Sequence, residues 1–289
     1  MSAVVGTFLC PPGFAGPSGL RALAREGSAV AEAGRYLRSA AFGHADAASA
    51  RPEPDVLDPV VLVPGFLAGD GSLALMARHL RAQGHRTYRS AIRANIGCSQ
   101  RASLALERRV EEVAERRGRR VALVGHSLGG MMARGLAGRR PDLVRAIVTL
   151  GSPILAPGAA HPLLLFDLKV LAGLQRAGLG GLMGRDCTSG DCARASWEQT
   201  RAPLRRDVAF TSVFSRRDGI VDWRSCLDPA AIQVEVATSH VGMVFDPAVL
   251  EVVAAGLQAG RGRAGRVSRP ARWAAAPRAS AGRLRDASR

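Results

Sequence analysis

The chain has 289 residues, 47% of them hydrophobic, and a formal net charge of +16. That length suits one large α/β domain, and no apolar run reaches the roughly 18 residues that a membrane-spanning helix needs. The charge is unevenly spread: residues 261–289 carry nine Arg against the single acid Asp286, so half of the excess lies in a short Arg/Ala/Gly/Pro/Ser tail expected to be disordered.

Lys169 is the only lysine, and aromatic residues make up 4% of the chain. Such a composition offers no stacking platform for nucleic acid. Weak attraction to an anionic membrane surface fits the tail better. The cysteines are Cys10, Cys98, Cys187, Cys192 and Cys226, an odd count that does not suggest a disulfide scaffold. Cys187 and Cys192 could close a disulfide across a Gly-containing loop, or stand as two thiols. The N-terminus has no basic segment and meets Pro11 and Pro12 early. It does not read as a secretory signal, which points to a cytoplasmic chain.

In chain order, residues 1–20 are broken by Gly and Pro, and a single helix is expected from Arg21 to Phe42. Residues 43–57 read as a connection. Val60-Val61-Leu62-Val63, ending at Pro64-Gly65, has the continuous apolar character of a strand buried on both faces. A helix over 71–82 and a weaker strand over 86–92 follow. The stretch 102–116 is amphipathic, with acids spaced against arginines. Val121–Val124 is the next buried strand, 128–138 a helix, and Ala146–Leu150 a strand. Residues 208–214 and 232–236 read as two more strands, and 247–258 as a closing helix. Strands alternating with helices imply a mostly parallel sheet flanked by helices on both faces.

Residues 154–206 interrupt this rhythm and are expected to form a cap over the sheet's carboxyl edge. Leu163 to Leu174 is apolar around most of a helical circumference. That pattern fits either a core helix or a cap helix lining an acyl pocket. The chain thus divides into an N-terminal extension with one helix (1–57), a catalytic domain (58–260) and the basic tail (261–289).

The strongest chemical signal is Gly125-His126-Ser127-Leu128-Gly129. It matches G-x-S-x-G directly after a strand and at the start of a helix, the setting of a nucleophile elbow. Turning from strand to helix at Ser127 requires small residues at 125 and 129. The turn would hold the hydroxyl above the strand end, beside its own and the next backbone N–H. Serine needs a base. Of the two downstream histidines, His161 comes too early, ahead of the apolar helix of the cap, and His240 follows the last strand, so His240 is the better base. Asp218, just after the strand 208–214 and before Gly219, is the expected acid, with Asp222 as competitor. The acid would fix the imidazole tautomer and stabilise the imidazolium. Oxyanion donors are expected from the N–H of Leu128 and of Phe66, with Leu67 as the alternative to Phe66.

These motifs, together with Val-Leu-Val-Pro-Gly-Phe (61–66), Asn-Ile-Gly-Cys-Ser (95–99), Thr-Leu-Gly-Ser-Pro (149–153), Ser-Arg-Arg-Asp-Gly-Ile-Val (215–221) and Ser-His-Val-Gly-Met (239–243), resemble an α/β-hydrolase of the bacterial lipase/esterase type, as found in actinobacteria. The resemblance runs from about 58 to 258, and neither terminus takes part. It departs at Pro64-Gly65, where many lipases have His-Gly. It implies an α/β-hydrolase fold and a serine hydrolase of small-molecule or lipid esters, working without a cofactor. An acyltransferase with the same triad, or a hydrolase-like protein that binds a lipid or partner without catalysis, are the alternatives.

Competing motifs fail on context. Gly260-Arg261-Gly262-Arg263-Ala264-Gly265 follows a helix and not the strand that a dinucleotide site needs. The six histidines show no zinc spacing with one another or with the cysteines, so no metal is expected.

Overall fold

A computed structural model describes residues 5–42 and 59–259. The tail with its Gly-Arg-Gly motif and the expected connection 43–57 lie outside these residues. Two helices, α1 (Leu20–Glu26) and α2 (Ala29–Phe42), come first. The single helix expected there is interrupted at Gly27-Ser28, where the Ser28 hydroxyl bonds the Arg25 carbonyl and Glu32 Oε1, both at 2.8 Å. A serine hydroxyl that satisfies nearby backbone competes with helix continuation.

Then follow β1 (Pro59–Val63), α3 (Ala74–Ala82), β2 (Arg86–Arg89), α4 (Ser99–Arg117), β3 (Val121–His126), α5 (Leu128–Arg139) and β4 (Val144–Leu150). Three helices come next: α6 (Pro162–Arg176), α7 (Asp186–Ser189) and α8 (Asp191–Arg201). The chain returns to the sheet with β5 (Ala209–Phe214) and β6 (Ile232–Glu235), and α9 (Pro247–Ala259) closes the described part.

The six strands form one parallel sheet in the order β2-β1-β3-β4-β5-β6. Alternation along the strands sorts the core into two layers. Val60, Leu62, Ala122, Val124 and Val148 pack with α2, α3 and α9. Val61, Val63, Leu123, Ile147 and Phe210 pack with α4 and α5. The sheet grows outward from β1 to β2, then reverses to β3 on the other side of β1. In open parallel sheets such a reversal leaves a crevice at the strands' carboxyl ends, where ligands bind. Here the residues at those two ends are Pro64-Gly65 and Ser127.

Helices α6, α7 and α8 occupy the interruption between β4 and β5. The apolar helix α6 is not a core helix: Leu171 and Ala172 are buried, whereas Leu163, Phe166, Val170 and Leu174 are exposed. No helix among the described residues is long and apolar enough to cross a membrane.

Candidate active site

Between β3 and α5 stands one residue, Ser127, at φ 52° and ψ −122°. A residue with a Cβ resists this conformation, at a cost of about 1–3 kcal/mol, and keeps it only where its surroundings impose it. Those surroundings are tight. A Cβ on Gly125 would strike Gly130 and the Gly129 carbonyl, and one on Gly129 would strike the Val63 carbonyl. Gly130 is equally constrained, because its Cβ would collide with Ser152 Oγ. The Ser127 N–H donates to the Leu150 carbonyl at 2.8 Å, so its own amide is not free for an oxyanion.

The structure brings Asp218 and His240 together: Oδ2 lies 2.6 Å from Nδ1, and both residues are buried. Asp218 Oδ1 accepts from the backbone N–H groups of Ile220 and Val221, at 2.8 Å each, which leaves Oδ2 for the imidazole. Burial alone would lower the pKa of His240, but the Asp218 carboxylate, helped by Glu26, raises it above the ordinary 6.5. Gly151, at φ 53°, passes so close to this pair that its Cβ would lie 3.0 Å from His240 Nδ1 and 3.2 Å from Asp218 Oδ2. Since Ser127 bonds to Leu150, the residue before Gly151, the serine and the His–Asp pair share one corner of the sheet. His126 closes that corner. Its ring centroid is 4.7 Å from that of His240, and its Nε2 is 3.1 Å from the His240 carbonyl oxygen. Burial, then the charge of His240, lower its pKa to about 3. A neutral His126 therefore donates from Nε2 to that carbonyl.

The competing residues are engaged elsewhere. Asp222 accepts from Arg224 Nη2 at 2.7 Å and from the Ala15 N–H at 3.1 Å. The Nδ1 of His161 accepts from the Leu163 N–H at 3.1 Å and caps α6.

The loop after β1 lies against the serine: a Cβ on Gly65 would come 3.2 Å from Ser127 Cβ. Asn95 holds this loop. It donates from Nδ2 to the Pro64 carbonyl at 3.0 Å and pairs through its backbone with Leu67 and Ala68. The Leu67 N–H is thereby used on the Asn95 carbonyl at 3.3 Å. The Phe66 N–H has no protein acceptor among the described residues. Leu128, first residue of α5, has no acceptor within the helix. Phe66, Ser127 and Leu128 all line one pocket of about 130 Å³. The cap supplies its far walls through Leu164, Leu168, Met183 and Trp197. Val5 and Leu9 of the N-terminal segment complete it.

Comparison with known proteins bears on the fold. A family model described as alpha/beta hydrolase fold matches residues 58–180. Among solved structures, the lipase BlEst2 of Bacillus licheniformis in its mature form superposes with a TM-score of 0.54 over 71% of this chain and 94% of that one, at 17% identity. Its propeptide form gives 0.56 at 19% identity, and there the match spans about half of the other chain, 51%, and 71% of this one. No curated protein matches. This is the α/β-hydrolase fold. At these identities the likeness concerns the fold alone.

On that fold, two residues that carry no sequence signal hold the histidine loop. Both come from the N-terminal segment, which lies outside the stretches that carry the resemblance. Glu26 Oε1 accepts from the N–H of Gly219 at 2.8 Å and of His240 at 3.0 Å, and Oε2 accepts from Val241 at 3.0 Å. One carboxylate thus ties the acid loop to the base loop. Glu32, buried at the start of α2, accepts from the Ser239 N–H at 2.9 Å and the Ser239 hydroxyl at 2.6 Å. Burial would raise its pKa, but its hydrogen bonds with Ser239, Ser28 and Thr238 lower it, so it stays ionised. Replacing Glu26 with Ala leaves three N–H groups without their acceptor, each worth about 1 kcal/mol. Loosening of a supporting contact of this kind costs about 10–100-fold in function at metal sites, and a fall of about that size is expected in kcat here. Steady-state kinetics with a far-UV melt will show it; an unchanged kcat would reduce Glu26 to a surface acid.

Proposed function

We propose that this protein is a serine-dependent carboxylic ester hydrolase that forms an acyl-enzyme on Ser127. The observation that carries the reading is the strained Ser127 beside the buried Asp218–His240 pair, a costly arrangement that a protein serving only to bind has no need to keep. The proposed steps follow from the geometry. His240 Nε2 takes the Ser127 proton as Oγ attacks the ester carbonyl, while Asp218 holds the Nδ1–H and stabilises the imidazolium. The Phe66 and Leu128 N–H groups receive the oxyanion. His240 then protonates the leaving alcohol, and a water that it deprotonates releases the acid.

The pocket walls are mostly apolar, which suits an acyl chain of medium or greater length. The exposed Leu163, Phe166, Val170 and Leu174 on α6 favour substrate delivered from a lipid surface. The test is hydrolysis of a chain-length series of nitrophenyl esters. Turnover that rises with chain length and then levels off supports both the reaction and the acyl pocket. Turnover at background for every length removes the esterase reading. Adding an alcohol acceptor and analysing products separates hydrolysis from acyl transfer to the alcohol.

A further inference from the structure

Three of the five cysteines meet, although Cys98 stands 94 positions from Cys192. Cys98 Sγ lies 3.6 Å from Cys192 Sγ, Cys192 Sγ lies 3.5 Å from Cys187 Sγ, and all three sulfurs fall within 4.8 Å of one another. All five cysteines are thiols in this structure. We propose that Cys98, Cys187 and Cys192 form a binding site for one thiophilic d10 metal ion, Zn²⁺ or Cu⁺.

The spacing is the first argument. Metal–sulfur bonds of about 2.3 Å at a tetrahedral angle place two sulfurs about 3.8 Å apart, within tenths of an ångström of the 3.6 and 3.5 Å separations. A disulfide would use two of the three thiols and strand the third in a half-buried cluster. An ion uses all three. Soft thiolate donors select Zn²⁺ and Cu⁺ over harder cations.

The electrostatics are the second argument. Cys98 caps the N-terminus of α4, and Cys192 is the second residue of α8, so two helix N-termini face the cluster and favour negative sulfur. Burial opposes ionisation of Cys98, yet the N–H groups of Arg101 and Gln100 and the neighbouring thiols bring its pKa below the ordinary value. Burial raises Cys192 to about 12, with the other two cysteines adding to the rise. A bound cation deprotonates the thiols that ligate it.

Placement is the third argument. Cys98 belongs to the catalytic domain, and Cys187 and Cys192 belong to the cap. Cys187, its neighbour Thr188 and Ser99 line the same pocket as Ser127. An ion held by the three would fasten the cap to the start of α4 and fix that wall of the pocket. No further His, Cys, Asp or Glu ligand joins the cluster among the described residues. A tetrahedral Zn²⁺ would therefore take water or a solute as its fourth ligand, whereas Cu⁺ would be satisfied by three.

The experiment uses the full chain, reduced, freed of metal and kept under anaerobic conditions. Zn²⁺ and Cu⁺ are titrated separately against chromophoric competitors, with native mass spectrometry for stoichiometry and Co²⁺ as a spectroscopic substitute for zinc. The expected result is one ion per chain and intense tetrahedral thiolate bands with Co²⁺. Binding should weaken by at least about a hundredfold, the upper cost of a supporting contact, in each of Cys98→Ser, Cys187→Ser and Cys192→Ser, and should persist in Cys10→Ser. The tighter of the two titrations identifies the ion. Should the serine variants fail to fold, alkylation of the wild type serves instead: bound metal should protect residues 98, 187 and 192 and leave Cys10 reactive. Absence of binding by the reduced wild type, or protection that misses any of the three, overturns the proposal. So does a disulfide among them in protein isolated without reductant.

Discussion

Ser127→Ala is expected to lower kcat on the best nitrophenyl ester by about a millionfold, the size of loss that follows removal of a triad nucleophile. The pocket walls and the Phe66 and Leu128 amides remain, so KM should change little. The backbone argument makes a companion prediction. Alanine keeps the Cβ that strains residue 127 at φ 52°, so Ser127→Ala should melt close to the wild type. Glycine relieves the strain, and Ser127→Gly should therefore be inactive yet more stable, by about 1 kcal/mol. Calorimetry beside kinetics reads both effects. If Ser127→Gly is less stable than the alanine variant, the strain at the elbow is not a store of free energy. If Ser127→Ala retains ester turnover, the nucleophile lies elsewhere.

How much of this arrangement could be read from the sequence depended on how local each constraint is. The elbow is five residues long, and its glycines answer to clashes within a few residues, so strand, turn and helix were legible together. Asp218 was legible as a neighbour of His240 because Gly219 marks the turn out of β5, although nothing local excluded Asp222. Only the folded chain shows Asp222 engaged with Arg224 and Ala15. Between Phe66 and Leu67, likewise, only the folded chain shows the Leu67 N–H engaged, by Asn95 from a different crossover. Glu26 and Glu32 left no trace, since they act on residues 193 to 215 positions away and look like ordinary acids on amphipathic helices. The same distance hid the cysteine cluster. Spacing rules find ligands that sit near one another in the chain, whereas Cys98 and Cys192 are 94 positions apart. The helix from Arg21 was misread as continuous because its apolar pattern runs through Gly27-Ser28, where a serine hydroxyl bonding nearby backbone breaks it.

Asp218→Asn separates the roles that the acid is asked to play. In the wild type, Oδ2 fixes the proton on His240 Nδ1 and leaves Nε2 as an acceptor for the serine proton. An asparagine amide that turns its NH₂ toward Nδ1 forces the proton to Nε2, the wrong tautomer for a base. Loss of about 10⁴ in kcat is expected, the size seen when a triad Asp is so replaced. The pH profile adds a second readout. With His240 raised above 6.5 by the Asp218 carboxylate, the imidazole is protonated and idle at low pH. Activity should therefore rise with pH through a midpoint above 6.5. Removing the carboxylate takes away the largest influence that holds the proton on, so the midpoint of the residual activity should move to lower pH. Asp222→Asn is the control: it should weaken the contacts to Arg224 and Ala15 and lower the melting temperature, while leaving midpoint and kcat in place. If the two variants exchanged these phenotypes, Asp222 would be the acid, and the short contact between Asp218 and His240 would be a structural pairing without a part in turnover.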